Sequence, residues 1–257
     1  KDLDALTRKI FRADNVTVSF TGSTQSRDAF WKVAGDLNLK KGNKSQADSI
    51  KSTLVVPEDK LQRMAYIIPS NVSYVGLSYP NVAHATNEQQ GNWLIATRVL
   101  GLDYLWNEVR VKGGAYGVGF RRSTTGQHAF WSFRDPALDA TLIRYENAAE
   151  WLHTWQEDAK ALDGYVVSCV ASHDTPLKSR QRARRQDHDI LVGRPADWRD
   201  QVRDEILHVS AADVRAAGAD LPASRSVCVF GPAEAIDAST LNLQAYDLMD
   251  MQSASSG

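Results

Sequence analysis

Six histidines and two cysteines have the widest chemical range in this 257-residue chain, and their spacing withholds the common catalytic sets. No histidine has Glu three positions on and His four positions on, the inverted zinc-peptidase spacing that sets two imidazoles and a carboxylate on one helix face. His84-Ala85-Thr86-Asn87-Glu88 comes nearest and fails, because Asn stands at the carboxylate position and Glu at the second imidazole position. His173-Asp174 and His188-Asp189 join an imidazole to a carboxylate in sequence. Adjacent residues on a helix do not face each other, so both pairs read as surface or cap residues. Ser168 and Cys169 have no base at a useful spacing, which argues against nucleophilic catalysis. Trp151, His153 and Trp155 read as core packing rather than a cofactor box. No G-x-x-x-x-G-K phosphate loop occurs.

Charge narrows the classes further. Lys178 to Arg185 is the densest basic run, yet Asp187 and Asp189 follow it and the whole chain carries 30 basic and 31 acidic residues, a formal charge of -1. A solvated helix face accounts for the run better than a nucleic-acid site. No stretch of about 18 apolar residues exists, so neither a membrane-spanning helix nor a membrane partner is expected. Lys1-Asp2-Leu3-Asp4 opens without an apolar signal region or an initiator Met, and the expectation is a piece of a longer chain. Cys169 and Cys228 each sit in an apolar run and read as buried free thiols, which fits a reducing, cytoplasmic compartment.

Residues 3–12 space like the end of an amphipathic helix, Val16–Phe20 alternates like a strand, and Ser26 or Asp28 caps a helix to about Leu37. Residues 1–40 therefore read as the tail of a preceding domain, and 41–59 as a polar linker. From Lys60 the pattern changes. Met64–Ile68 and Val72–Leu77 read as strands. Helical stretches follow over Asn92–Leu102 and Tyr104–Lys112, with Asp103 as N-cap of the second. Two strands, Ala115–Arg121 and His128–Phe133, are joined by Ser123–Gly126. Asp135-Pro136 reads as a helix start, with Asp at the N-cap and Pro at the first helical position, the helix running to about Trp155. Helices near 157–172, 176–191 and 196–217 and a last strand over Arg225–Phe230 complete a domain at 60–250. Residues 251–257 read as a disordered tail. Strands in a hairpin and helices in a block give an α+β class, mainly an antiparallel sheet with helices packed on one face.

Within that frame Tyr104–Gly117 stands out. Helical periodicity turns Leu105, Trp106 and Val109 inward and pairs Glu108 with Lys112 on the outside. Gly113 suits a positive-φ C-cap, and Gly114 lets the chain reverse into a strand. In that strand Tyr116, Val118 and Phe120 share one face, and the small residues Ala115, Gly117 and Gly119 share the other, where something can pack close.

The sequence YLWNEVRVKGGAYG over Tyr104–Gly117 closely resembles the signature in the C-terminal domain of presequence-protease-like members of the insulinase and pitrilysin family of zinc peptidases. Val16–Gly22, Phe133–Leu142 and Arg203–Ala211 are compatible with the same family. The resemblance implies a LuxS/mitochondrial-processing-peptidase-like domain. It matches Arg110 and Tyr116 to the family's Arg and Tyr, which reach across a closed chamber toward a zinc centre in the N-terminal half. Peptide hydrolysis builds negative charge on a carbonyl oxygen, and a fixed guanidinium and phenol can donate to it. Gly113 and Gly114 would hold the two in relation, and Val118 and Phe120 would line the chamber. The zinc-binding set is missing here: Asn92–Leu102, where the zinc helix would lie, offers Trp93, Ile95, Ala96 and Arg98. The resemblance thus implies zinc in the parent enzyme and none bound by this chain. It also implies an N-terminal catalytic half as partner and short unfolded peptides as substrate. The alternative is an inactive, peptide-binding half of a heteromeric peptidase.

Overall fold

Along Ser73–Tyr79 every second residue is buried, and that period of two sets the architecture. Ser73, Val75, Leu77 and Tyr79 face helices, while Tyr74, Gly76 and Ser78 face away. The structure, a computed structural model, describes residues 2–11, 18, 20–34, 62–79, 90–122, 128–156, 159–219, 221 and 225–248. It divides into two units, residues 1–52 with 176–195, and residues 53–175 with 196–257. The Val16–Phe20 strand lies largely outside the described residues, as do the linker, His84, the Ser123–Gly126 connection and the tail.

The first unit holds α1 (Asp2–Ile10), α2 (Thr24–Ala34) and α6 (Ser179–Leu191). The apolar stripe of α1 is exposed at Leu3, Leu6 and Ile10, and α6 buries no residue, so its arginines form a solvated face.

The second unit is built on a six-stranded sheet. Its strands are β1 (Arg63–Ile67), β2 (Ser73–Tyr79), β3 (Gly117–Arg122), β4 (His128–Asp135), β5 (Ser226–Gly231) and β6 (Gln244–Asp247). They lie in the order β3-β4-β2-β5-β1-β6. The β3–β4, β4–β2 and β2–β5 pairings are antiparallel, and β1 pairs in parallel with both β5 and β6. The class is the α+β one read from the sequence. Strand β6 and the short helix α9 (Ala233–Asp237) were not anticipated, because neither is long enough to show a period.

The helix layer comprises α3 (Gln90–Val99), α4 (Leu138–His153), α5 (Ala159–His173), α7 (Trp198–His208) and α8 (Ala211–Ala219). Its core is Leu77, Ile95, Leu105, Phe130, Leu142 and Ile206, each at most 1 % exposed. Three helix boundaries differ from expectation. Asp103 caps nothing, because α3 continues without a break into a π-helical segment, Leu100–Val111. The stretch 196–217 is two helices. Val209 turns extended (φ -59°, ψ 137°), and Ser210 exchanges bonds with Asp213, its Oγ donating at 2.6 Å and its own N–H at 2.8 Å. Asp135 precedes its helix instead of capping it: its buried carboxylate accepts from Ser132 Oγ at 2.6 Å and the Ala137 N–H at 2.9 Å, and α4 begins at Leu138.

Cys169 is buried, but Cys228 is half-buried on the sheet face away from the helices. Burial raises both thiols above their ordinary value, so neither is an activated nucleophile. Among the described residues no helix is long and apolar enough to cross a membrane.

Candidate functional site

The site starts from an irregularity in the helix that carries it. Over Leu100–Val111 the turns are one residue wider than α-helical, and the Lys112 N–H still donates to Asn107 O, five residues back, at 3.0 Å. Three contacts fix this segment. Tyr104 Oη donates to Arg144 O in α4 at 2.7 Å, and Asp103 accepts from Trp155 Nε1 at 3.2 Å and from Tyr165 Oη. Burial, with Glu108 beside it, pushes the Tyr104 phenol up to about 12, so it stays a donor. Leu105 and Val109 face the core as expected. Trp106 does not: it is 44 % exposed, because the wide turns rotate it out of the α-helical stripe. Glu108 and Lys112 form the expected pair at 2.6 Å.

Rotating Trp106 outward brings it under Arg110. The guanidinium carbon lies 4.1 Å from the indole centroid, a cation–π contact that restrains a long, exposed side chain.

The diglycine bend works differently from the reading of its sequence. Gly114, not Gly113, takes the left-handed conformation, at φ +80°. Gly113 is required for space. A Cβ there would stand 2.4 Å from Val109 O and 2.8 Å from Arg144 Nη1. The bend then ties off the helix end, with Gly114 N–H donating to Arg110 O at 3.0 Å and Ala115 N–H to Val109 O at 3.2 Å. Tyr116 N–H donates to Arg134 O at 3.2 Å and enters the sheet.

Tyr116 is 61 % exposed, and its ring packs edge-on against Phe133 at 5.3 Å. Arg110 and Arg134 each place the guanidinium carbon 6.0 Å from its centroid, so two cations lie close to the ring. Arg134 takes φ 50° where the register between β2 and β4 shifts, an extra residue that turns this cation outward.

The expected sharing of one face by Tyr116, Val118 and Phe120 does not hold. The alternation is offset between Tyr116 and Gly117. Phe120 is 7 % exposed and belongs to the helix-side core with Trp93 and Phe130, and Val118 packs against that core. Both are removed from any lining role. Tyr116 lies instead on the open face with Gly117 and Gly119, and what packs close there is aromatic. A Cβ on Gly117 would meet Phe133 Cε1 at 2.1 Å, and one on Gly119 would meet Trp131 Cζ2 at 2.6 Å.

Phe133 begins a row. Strand register sets Gly117, Phe133, Tyr74, Phe230, Tyr66 and Tyr246 side by side across all six strands. Tyr66 stacks on Phe230 at 5.0 Å and on Tyr246 at 5.7 Å. Trp106, Arg134 and this row complete the site and escaped the sequence reading. Their signal was present in Trp131-Ser132-Phe133 and Val229-Phe230, where one large apolar residue too many occupies the outward phase.

Zinc does not fit this site. Among the described residues no three His, Cys, Asp or Glu side chains come together. The donors around Tyr116 are arginines and a phenol, which repel or ignore a divalent cation at neutral pH.

Comparison with known proteins supplies the lineage. The sequence model of the PreP C-terminal domain family matches residues 63–229, more than half the chain. The chain is 27 % identical over 233 residues to Protein HypA of Clostridium perfringens, covering 88 % of this chain and 23 % of that one. It is 30 % identical over 183 residues to Presequence protease 1, chloroplastic/mitochondrial, of Arabidopsis thaliana, covering 69 % of this chain and 17 % of that one. The chain thus spans less than a quarter of the length of these relatives. Among solved structures, the inactive domain of an M16 peptidase from Pseudomonas fluorescens superposes with a TM-score of 0.55 at 16 % identity, covering 66 % of this chain and 44 % of that one. This chain belongs to the PreP C-terminal domain family.

Proposed function

We propose that this chain is the metal-free, substrate-contacting part of a zinc endopeptidase that degrades short unfolded peptides. In this reading an N-terminal catalytic half of the same protein holds the zinc, the two halves enclose a chamber, and residues 1–40 end the domain before this one. Arg110 and Tyr116 would touch the substrate. The observation that carries the reading is their joint presentation: a guanidinium braced on Trp106 and a phenol, both exposed, with the guanidinium carbon 6.0 Å from the phenol ring centroid across a bend that requires two glycines.

The chemistry follows from what these groups can do. Attack on a peptide carbonyl moves charge onto its oxygen. Donors already oriented toward that oxygen stabilise the charge without reorganising, and more strongly where water is excluded. Arg110 supplies a permanent positive charge and several N–H groups. Tyr116 supplies one O–H, with Arg110 and Arg134 favouring negative charge beside it. No step on the metal is assigned to this chain, whose residues bind and orient the peptide.

The test is reconstitution of this chain with the zinc-bearing half, followed by quenched-fluorescent peptide turnover. Tyr116→Phe is expected to leave KM within about twofold and lower kcat about a hundred- to thousandfold, the usual cost of one lost oxyanion donor. Arg110→Ala should lower kcat at least as much. Full turnover by either variant would remove these residues from the reaction.

A further inference from the structure

The aromatic row on the open sheet face extends from Tyr116 across the strands, and its composition points to a second role. Tyr74 is 41 % exposed, Phe230 37 % and Trp131 43 %, so large rings face outward across the middle of a sheet whose other face carries the helices. The two central rows on this face are Gly117, Phe133, Tyr74, Phe230, Tyr66, Tyr246 and Gly119, Trp131, Gly76, Cys228, Met64, Gln244. Neither carries a carboxylate or an ammonium. The charges gather at the β3 end, where Arg110 and Arg134 lie close to Tyr116.

The row is also continuous with the Arg110/Tyr116 pair, since Tyr116 packs directly on Phe133. Whatever peptide places a carbonyl at that pair has the row beside it. The missing side chains of Gly117 and Gly119 let Phe133 and Trp131 lean over β3 and close the distance to Tyr116.

We propose that this row is an apolar track for the part of the substrate remote from the scissile bond, and that it selects extended peptides rich in aromatic and aliphatic side chains. The proposal rests on the reading of Arg110 and Tyr116 given above. A peptide on this track runs across the strands, so it makes no ladder with the sheet and is held by its side chains. Six strands spaced about 4.8 Å span roughly 24 Å, which an extended peptide covers in about seven residues. Its same-side residues recur about every 6.8 Å, out of step with rings about 4.8 Å apart. No ring therefore owns one position of the substrate, and the preference is for composition rather than for a motif.

The test is fluorescence anisotropy of this chain with a labelled twelve-residue peptide bearing four spaced Phe and Leu residues. Controls are the same peptide with Ser at those four positions and truncations of the apolar form. The apolar peptide is expected to bind about tenfold or more tightly than the Ser peptide, with affinity rising up to about seven residues and then levelling. A Tyr74→Ser/Phe230→Ser variant should lose most of that preference. Its folding is checked by near-ultraviolet circular dichroism, and the peptide swap on the unaltered chain stands independently of it. Equal binding of the two peptides, or a preference that survives intact in a folded double variant, overturns the track. Failure of the Arg110/Tyr116 reading registers separately, as unchanged turnover in the reconstituted enzyme.

Discussion

The Gly113→Ala substitution tests how tightly the site is built. The added methyl carbon would stand 2.4 Å from Val109 O and 2.8 Å from Arg144 Nη1, the first about an ångström inside ordinary contact with a backbone atom that cannot swing aside. Relief requires lifting the bend off the helix end, at a cost of about 1–3 kcal/mol for overpacking a rigid site. In a unit of this size each kcal/mol lowers Tm by about 2–4 °C, so the fall is expected to lie between about 2 and 12 °C. Gly114→Ala acts chiefly through φ +80°, with Pro136 Cγ 3.3 Å from the added carbon, and should cost about 1–2 kcal/mol. Gly164→Ala in α5 is the control: nothing lies within 4 Å of its Cβ position, and alanine should raise stability by about 0.5–1 kcal/mol. Differential scanning fluorimetry on the three variants reads the order directly. The reasoning fails if Gly113→Ala melts with the unaltered chain, or if Gly164→Ala falls as far as Gly113→Ala does.

Other expectations follow from the same structure. Trp106→Leu removes the face under Arg110, a contact worth about 0.5–1 kcal/mol at an exposed site, and should reduce turnover of the reconstituted enzyme several-fold with Tm little changed; a loss as large as that of Arg110→Ala would mean Trp106 does more than brace it. Burial chiefly lowers the pKa of His173, whose Nε2 lies 2.9 Å from Arg199 O, below its ordinary 6.5. The unfolded chain therefore takes up this proton first, and the stability it contributes is present above about pH 6.5 and lost as pH falls through the lower folded value. His173→Gln should flatten Tm against pH between about 7 and 5; an unaltered slope would exclude it as a source. Ser210→Ala deletes the cap at the start of α8 and should cost about 1 kcal/mol in a urea titration.

How much was legible follows from what each signal measures. β2 and β4 were readable because one face is buried and the other is not, which writes a period of two into the residues. The two-glycine bend was readable as a bend, but the roles of its glycines were not. φ belongs to Gly114, and the space around Gly113 is set by Arg144, thirty-one residues on and distant in pattern. The π-helical turns were invisible because Leu100–Val111 satisfies an α-helical period nearly as well, and Trp106 was assigned to the wrong side for that reason. The aromatic row was hidden because its members lie on strands far apart in sequence and are joined only by register. The parallel pairing of β1 with β5 and β6 lay outside any local pattern.

That last feature governs how the domain can be made. β1 ends at Ile67, yet the strands on either side of it are the last two described in the chain, at Ser226–Gly231 and Gln244–Asp247. During synthesis β1 must wait with both edges open while some 160 residues emerge, so closure is a late, long-range event and the domain is expected to be a slow folder. A product stopped near residue 220 would retain most of the helix layer but leave an apolar strand bare along its whole length, a template for self-association. Useful expression boundaries therefore lie beyond Asp247, and premature release should surface as insoluble protein rather than as a smaller soluble domain.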